Sequence, residues 1–216
     1  FEPAFAEAGW DAGPRERDDD RLRRAALLAL VGEVGEAPAL LTEASERCAR
    51  FLADRRSLEA NLSDGVVSLA ARGGDEALFE RFLSAAHEAK TPQDQRRFLL
   101  GLGAFREPKL VERALSLTLS DVVGTQDVAL LLARLISNRV ASASAWAFWK
   151  KRFTKLRRRM PPMLVTRPIE ALPALGTRQG RRDVAAFFRA NPVPTGGRAV
   201  RRERIDRPHV VPLVVE

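Results

Sequence analysis

Residues 91–105 read TPQDQRRFLLGLGAF, and this stretch decides the fold class. Thr91 followed by proline is a typical helix start, because the hydroxyl can accept a hydrogen bond from a free backbone amide and proline fits the first helical position. Phe98, Leu102 and Phe105 then recur at the spacing of one helix face. The stretch therefore predicts an amphipathic helix that packs on one side.

The same signals recur along the chain, whereas strand signals are nearly absent. Asp75 and Thr125 stand before apolar runs as predicted N-caps, and Asp19 and Asp20 precede another helix. Prolines should interrupt the ninth predicted helix at positions 168 and 173. We predict ten helices with boundaries good to about three residues, and a further one over 196–205. The ten cover roughly residues 20–32, 37–53, 62–72, 75–89, 92–105, 107–118, 125–137, 141–158, 161–175 and 180–190.

The predicted helix starts repeat at intervals typical of helical solenoids. The sequence separation between the starts of every second predicted helix is close to the ~34–47 residues of known helix-pair repeats. Short helices joined by short loops pack as antiparallel hairpins. We therefore predict an all-α fold of stacked antiparallel helix pairs, a HEAT/armadillo-like curved solenoid. The predicted organisation is a linker over 1–18, a helical-repeat domain over 19–206 and a tail over 207–216.

The net charge of +8 on 216 residues is unevenly distributed. From Lys150 to Arg207 there are 17 Lys and Arg against 4 Asp and Glu, and the remainder carries 19 against 24. Such asymmetry indicates an acidic partner: nucleic acid, a membrane surface, another protein or a neighbouring domain. No run approaches the ~20 apolar residues of a membrane span, so none is predicted.

The sequence carries no self-sufficient active site. A helical zinc hydrolase needs two histidines four residues apart and a carboxylate, but the chain has only His87 and His209, both interpreted as solvated. Cys48 lies in an apolar-periodic stretch and is interpreted as a buried structural thiol. We therefore predict no catalytic residue and no metal ligand here. A single thiol is compatible with the cytoplasm and does not exclude a secreted parent.

Six short motifs occur in order along residues 5–206. They are a Gly9-Trp10 start, LSDGVVSLAARGGD over 62–75, the step Phe105–Leu110, the helix start Gln126-Asp127, the Ser144–Phe148 helix, and Phe187-Phe188 before Asn191-Pro192. Together they resemble the C-terminal domain of the gluzincin zinc aminopeptidases, the helical domain typified by endoplasmic-reticulum aminopeptidases of the aminopeptidase N family. The chain departs from that pattern after Asn138, where a glycine is often seen, and in the basic run 157–159.

The resemblance implies a lid. Such a domain packs over the catalytic domain of the same parent chain, closes the cavity above its zinc and gates peptide substrates. The parent would be a zinc metallo-aminopeptidase, and this chain, which lacks HExxH, would be inactive alone and hold no cofactor. By this resemblance, five residues of the chain are expected to face the peptide or an interface: Gln126, Asp127, Asn138, Arg139 and Trp146.

Two other classes of function stay open. A helical repeat could hold nucleic acid through the basic residues 150–159, with Trp146 and Trp149 for base stacking. Against this, the basic residues fall on several helix faces, so nucleic acid is the less favoured partner. The third class is a scaffold that docks other proteins. Gln126 and Asp127 are more simply first-turn residues beside the predicted cap.

Overall fold

A computed structural model of the chain describes residues 2–13, 15–34 and 38–193. Within these ranges there are eleven α-helices and no strand, so the all-α prediction is confirmed. The helices are α1 (Glu2–Ala8), α2 (Asp18–Val34), α3 (Pro38–Ala53), α4 (Ala60–Arg72), α5 (Glu76–His87), α6 (Pro92–Gly101), α7 (Pro108–Leu117), α8 (Thr125–Ser137), α9 (Ser142–Arg159), α10 (Thr166–Ala171) and α11 (Arg178–Ala190).

All ten predicted helices are present as α2 to α11. In the ninth predicted helix only Thr166–Ala171 is α-helical, and 3₁₀ turns flank it at Pro162–Val165 and Leu172–Leu175. The predicted interruption is therefore confirmed at Pro173 and wrong at Pro168, which lies inside α10. Each 3₁₀ turn carries proline in its first turn, where the missing amide is not needed. The segment predicted as a linker contains α1. The helix predicted over 196–205, the tail 207–216 and His209 lie outside the described residues.

The predicted caps Asp75 and Thr91 are confirmed, and Thr125 is wrong. Asp19 and Asp20, predicted to precede a helix, lie in the first turn of α2. The Asp75 side chain accepts a hydrogen bond from the Leu78 amide at 2.9 Å. The Thr91 hydroxyl accepts one from the Asp94 amide at 3.1 Å. The predicted cap Thr125 is instead the first helical residue of α8, and Gly124 takes the N-cap position with no side-chain hydrogen bond. Glycine is tolerated at that position because it frees the backbone to turn into the helix.

The first unit of the chain, Phe1–Ala114, packs around buried phenylalanines. In it α3 packs on α4, α5 packs on α6, and α4 also contacts α2 and α6. Gly101 lies at a close approach between helices, since a Cβ there would lie 2.7 Å from Cγ1 of Val67. Close packing of the helices therefore explains why position 101 is a glycine. The rings of the core are those of Phe51, Phe79, Phe82, Phe98 and Phe105.

The second unit, Leu115–Glu216, is described as far as residue 193. Here α8 packs on α9 and α10. A second aromatic cluster joins α9 to α11 and is formed by Trp146, Trp149, Phe153, Phe187 and Phe188. Neighbours in sequence thus pack as pairs within each unit, as in α3 with α4, α5 with α6 and α8 with α9, and the curved solenoid stays a prediction.

Candidate partner-facing surfaces

Four of the five predicted site residues lie at the two ends of α8. Gln126 and Asp127 occupy its first turn, where Gln126 is exposed and Asp127 is partly buried. Asn138 and Arg139 follow its last residue, and Arg139 is exposed. A helix of 13 residues is about 20 Å long. The two pairs are therefore separate surface points, and one small group could not touch both.

Asn138 builds the turn that joins α8 to α9. Its carbonyl oxygen accepts hydrogen bonds from the amides of Ala141 and Ser142 at 3.0 and 2.8 Å. Its side-chain oxygen accepts another from the Val140 amide at 3.1 Å. No non-glycine residue in the described part of the chain has a positive φ, so Arg139 fits this turn without strain. This accounts for the chain's departure from the family glycine.

Trp146, the fifth predicted site residue, lies inside the second unit with 4% of its surface exposed. Its ring centroid is 5.6 Å from that of Trp149 and 5.2 Å from that of Phe187. The indole Nε1 donates a hydrogen bond to Oδ2 of Asp183 at 2.6 Å. The ring therefore serves packing, and its contact with a partner stays a prediction.

Asp183 is a residue that sequence reasoning missed. Besides Trp146, it accepts a hydrogen bond from Lys150 Nζ at 2.5 Å. These two donors, the lysine first, hold the pKa of the Asp183 carboxyl below its usual range. Asp183 is the only acidic residue of α11, and it interrupts an arginine-rich stretch. An isolated acid among arginines was the sequence signal that could have drawn attention to Asp183. Its partners could not be identified from sequence, because they lie 33 and 37 residues away.

The structure sorts the basic run of α9 into bound and outward side chains. Lys150 is paired with Asp183, and Arg159 donates to the carbonyl oxygens of Ser120 and Val123 at 2.6 and 3.0 Å. Arg159 thereby ties the end of α9 to the loop before α8. Five basic side chains of α9 are exposed: Lys151, Arg152, Lys155, Arg157 and Arg158. The basic stripe is defined here as Lys151, Lys155 and Arg158, which recur at i, i+4 and i+7 on the face opposite the buried residues, with Arg152 and Arg157 on its two flanks.

The residues of the Gly9-Trp10 motif have structural roles in the N-terminal segment. Gly9 has a φ of +67°, which ends α1 in the left-handed region that suits glycine. Trp10 then stacks edge-on against Phe5 with ring centroids 5.1 Å apart. Arg47 of α3 lies 5.0 Å from the Trp10 ring centroid and binds both carboxylate oxygens of Asp11 at 2.7 and 2.9 Å. Hydrogen bonds from that guanidinium lower the pKa of the Asp11 carboxyl.

A second arginine anchors the same segment from α2. Arg24, with 3% of its side chain exposed, donates from Nε to the carbonyl oxygen of Ala8 at 3.1 Å. It forms an ion pair with Glu16, and its Nη1 lies 3.6 Å from Oε2 of Glu59. The motif therefore forms a docked N-terminal segment, held to two helices by buried or half-buried arginines.

The remaining chemical groups are structural in their surroundings. Cys48 is fully buried, and burial raises the pKa of its thiol to about 11, so the thiol stays protonated and unreactive near neutral pH. His87 is exposed at the end of α5. No group of three or more His, Cys, Asp or Glu side chains in the described ranges could hold a metal ion. None of the helices described is long and apolar enough to cross a membrane.

The described residues form an all-α domain. Comparison with known proteins gives the family. The model of the ERAP1-like C-terminal domain matches residues 1–206, and the chain belongs to that family. It is also 30% identical over 102 residues to "Probable aminopeptidase 2" of Sulfurisphaera tokodaii. That alignment covers 47% of this chain and only 13% of the relative. The resemblance predicted from the motifs is confirmed.

Proposed function

We propose that this chain is the C-terminal lid and peptide-gating domain of a zinc-dependent aminopeptidase. It packs over the catalytic domain of the same parent chain and shapes the cavity that receives the peptide. The observation that carries the proposal is the family match over residues 1–206, with the likeness to an aminopeptidase beside it. A lid suits a domain of this kind, because closure excludes water and commits the substrate without any catalytic group of its own.

In this proposal the zinc belongs to the preceding catalytic domain. The described residues of the present chain do not fit a zinc site, so no catalytic step is assigned to them. A chelator should abolish peptide hydrolysis by the parent enzyme and leave the thermal unfolding of this chain unchanged. Peptide hydrolysis by a metal-free preparation of this chain alone would contradict the assignment.

The gating residues of the proposal are those at the ends of α8. Gln126 and Arg139 are exposed, and about 20 Å of helix separates them. Residues that far apart could contact different parts of one extended peptide, which rises about 3.3 Å per residue. Their partner is therefore better described as a peptide than as a small molecule.

The test uses the full-length parent enzyme with a six-residue Gly/Ser linker inserted between Phe1 and Glu2. Misplacing the lid should lower kcat/KM for long peptides about tenfold, because small displacements of binding groups carry large rate effects. Hydrolysis of a single-residue chromogenic amide should stay unchanged. The same linker added after Glu216 is the control. The lid role would be overturned if the two linker-bearing enzymes had the same kcat/KM for long peptides. It would also be overturned if the linker after Phe1 lowered kcat/KM equally for the long peptides and the chromogenic amide.

A nucleic-acid function loses one of the two features that motivated it, the aromatic rings for base stacking. Trp146 and Trp149 are 4% and 0% exposed, so neither ring is offered for base stacking. The basic residues that remain on the surface carry the next inference.

A further inference from the structure

The second unit has far more positive charge than it uses internally. Its described part, residues 115–193, contains 14 Lys and Arg against 4 Asp and Glu. Three of those four acids are already paired with basic residues of the same unit: Asp121 with Arg159, Glu170 with Arg167 and Asp183 with Lys150. The excess therefore faces solvent or a partner.

The basic stripe is the most ordered part of that excess. Lys151, Lys155 and Arg158 span about 10 Å along one face of α9, opposite its buried residues. The helix contains no acidic residue, and within the described chain none of the three has an ion pair. Like charges at i, i+3 and i+4 repel one another. Only Arg158, in the last turn, also benefits from the helix dipole. The arrangement thus weakens the isolated helix and suits an acidic neighbour.

We propose that the basic stripe docks on an acidic surface of the catalytic domain of the same parent chain and holds the lid closed by ion pairs. This inference rests on the proposed function. An aminopeptidase selects the free α-ammonium group of its substrate, and carboxylates are the groups that bind an ammonium ion. The cavity beneath the lid is therefore expected to carry negative potential, which attracts a basic face.

The composition of the stripe fits a contact that opens in every catalytic cycle. The preceding turns of the same outward face carry the exposed small residues Ser144 and Ala147. Phe148 beside them is half-buried, and α9 exposes no large apolar side chain that could anchor a permanent interface. Interfaces between domains of one chain are more polar than obligate ones. Because the two domains are tethered, their effective concentration is high, and a few weak exposed ion pairs suffice to favour closure.

A zero-length carbodiimide cross-linker tests the contact in the full-length parent, since it joins lysine amines to carboxylates that touch them. We expect cross-links from Lys151 or Lys155 to Asp or Glu residues that precede Phe1, and a marked decrease in their yield at about 0.5 M salt, where the Debye length falls to about 4 Å. Lys90 and Lys109, exposed in the first unit, are the control amines and should give no such links. Absence of links from the stripe, or links only within this chain, would overturn the proposal.

Kinetics with a matched variant give a second readout. The K151Q/K155Q/R158Q enzyme should lose about threefold to tenfold in kcat/KM for long peptides at low salt and become insensitive to salt. The control R23Q/K90Q/K109Q enzyme has the same charge change on exposed residues of the first unit and should match the wild type. Identical behaviour of the two variants would contradict the inference.

The outcomes separate this inference from the lid role and from nucleic acid. If the inserted linker alters peptide hydrolysis but the stripe variant does not, the stripe proposal fails and the lid stands. If the linker has no effect, the lid role itself fails. Salt-dependent binding of duplex DNA that the stripe variant loses, with unchanged kinetics, would assign the stripe to nucleic acid and overturn the proposal.

Discussion

The two units of the chain use charge in different ways. In the first unit, arginines extend between elements and form ion pairs with acidic residues of the same unit. In the second, five aromatic rings join α9 to α11, and most basic residues are left outside. The arginine ties of the first unit are Arg24 to Glu16 and Glu59, Arg47 to Asp11 and Glu43, Arg97 to Asp64 and Asp94, and Arg113 to Glu76 and Glu80.

This difference teaches that the role of a basic residue follows from its burial and its partners. Arg24 is 3% exposed and meets two acids, so it belongs to the architecture. Lys155 is exposed on a helix without acids, so it is left available to a partner and should add little to stability. Removing each kind of residue should therefore change different measured quantities.

The largest expected effect comes from breaking the aromatic cluster of the second unit. Trp149 is fully buried, with its ring centroid 5.6 Å from those of Trp146 and Phe188. Trp149→Ala should lower the free energy of unfolding by about 3–5 kcal/mol, because it leaves a large cavity. Urea denaturation followed by circular dichroism measures this. Met163→Ala, at a position 80% exposed in the same unit, should stay within about 0.5 kcal/mol. Equal losses in both variants would show that the cluster does not hold the unit.

The next effect tests whether burial decides the value of an arginine tie in the first unit. Arg24→Met leaves the carboxylates of Glu16 and Glu59 without their buried cation, and should cost about 3 kcal/mol. Arg113→Met also removes an arginine that meets two glutamates, but there the side chain is 39% exposed and the cost should be about 1 kcal/mol or less. Denaturation of both variants under one condition makes the comparison. The reverse order of losses would contradict the role given to burial.

A smaller, pH-dependent effect is expected at Asp183. Its pKa is lowered by Lys150 and then Trp146, so its stabilisation is present above the usual value of about 4 and is lost as pH falls through the folded pKa. Asp183→Asn removes the charge, and because the carboxyl is 38% exposed the loss at pH 7 should be only about 0.5–1 kcal/mol. Unfolding at pH 7, 5 and 3 should show the difference between wild type and variant shrinking on acidification. A difference that grows at low pH would refute the ion pair.

The smallest expected effect is on stability when the basic stripe is neutralised. The K151Q/K155Q/R158Q chain should unfold within about 0.5 kcal/mol of the wild type, since relieved repulsion offsets the lost dipole interaction of Arg158. Thermal unfolding at low and high salt measures this. A loss near that of Arg24→Met would mean that the stripe is structural, and the contrast between the units would disappear.

Local signals were read correctly from sequence where the structure also uses local contacts. The caps at Thr91 and Asp75 accept hydrogen bonds from amides three residues ahead, and the α-helix ends before Pro173 as expected. Thr125 failed because Gly124 turns the backbone into α8 one residue earlier. From sequence alone, a threonine that caps a helix cannot be distinguished from a threonine that is the first residue of the helix.

The surfaces were less predictable because long-range pairs decide them. Lys150 and Arg159 of the basic run are engaged by residues 33 to 39 positions away. The exposed residues that remain still lie on several helix faces, with Lys151, Lys155 and Arg158 on one face and Arg152 and Arg157 on either side of it. Trp146 was assigned to a surface from its motif, yet its burial depends on Phe187 and Phe188, which stand about forty residues further on.

The most direct test of the account is the reading frame that precedes Phe1 in the parent gene. If the chain is the lid of a zinc aminopeptidase, that frame encodes an HExxH motif followed by a distant glutamate, with GxMEN before it. A start codon directly upstream, or a preceding domain without these motifs, would contradict the proposed function and leave a free-standing helical domain with a basic stripe.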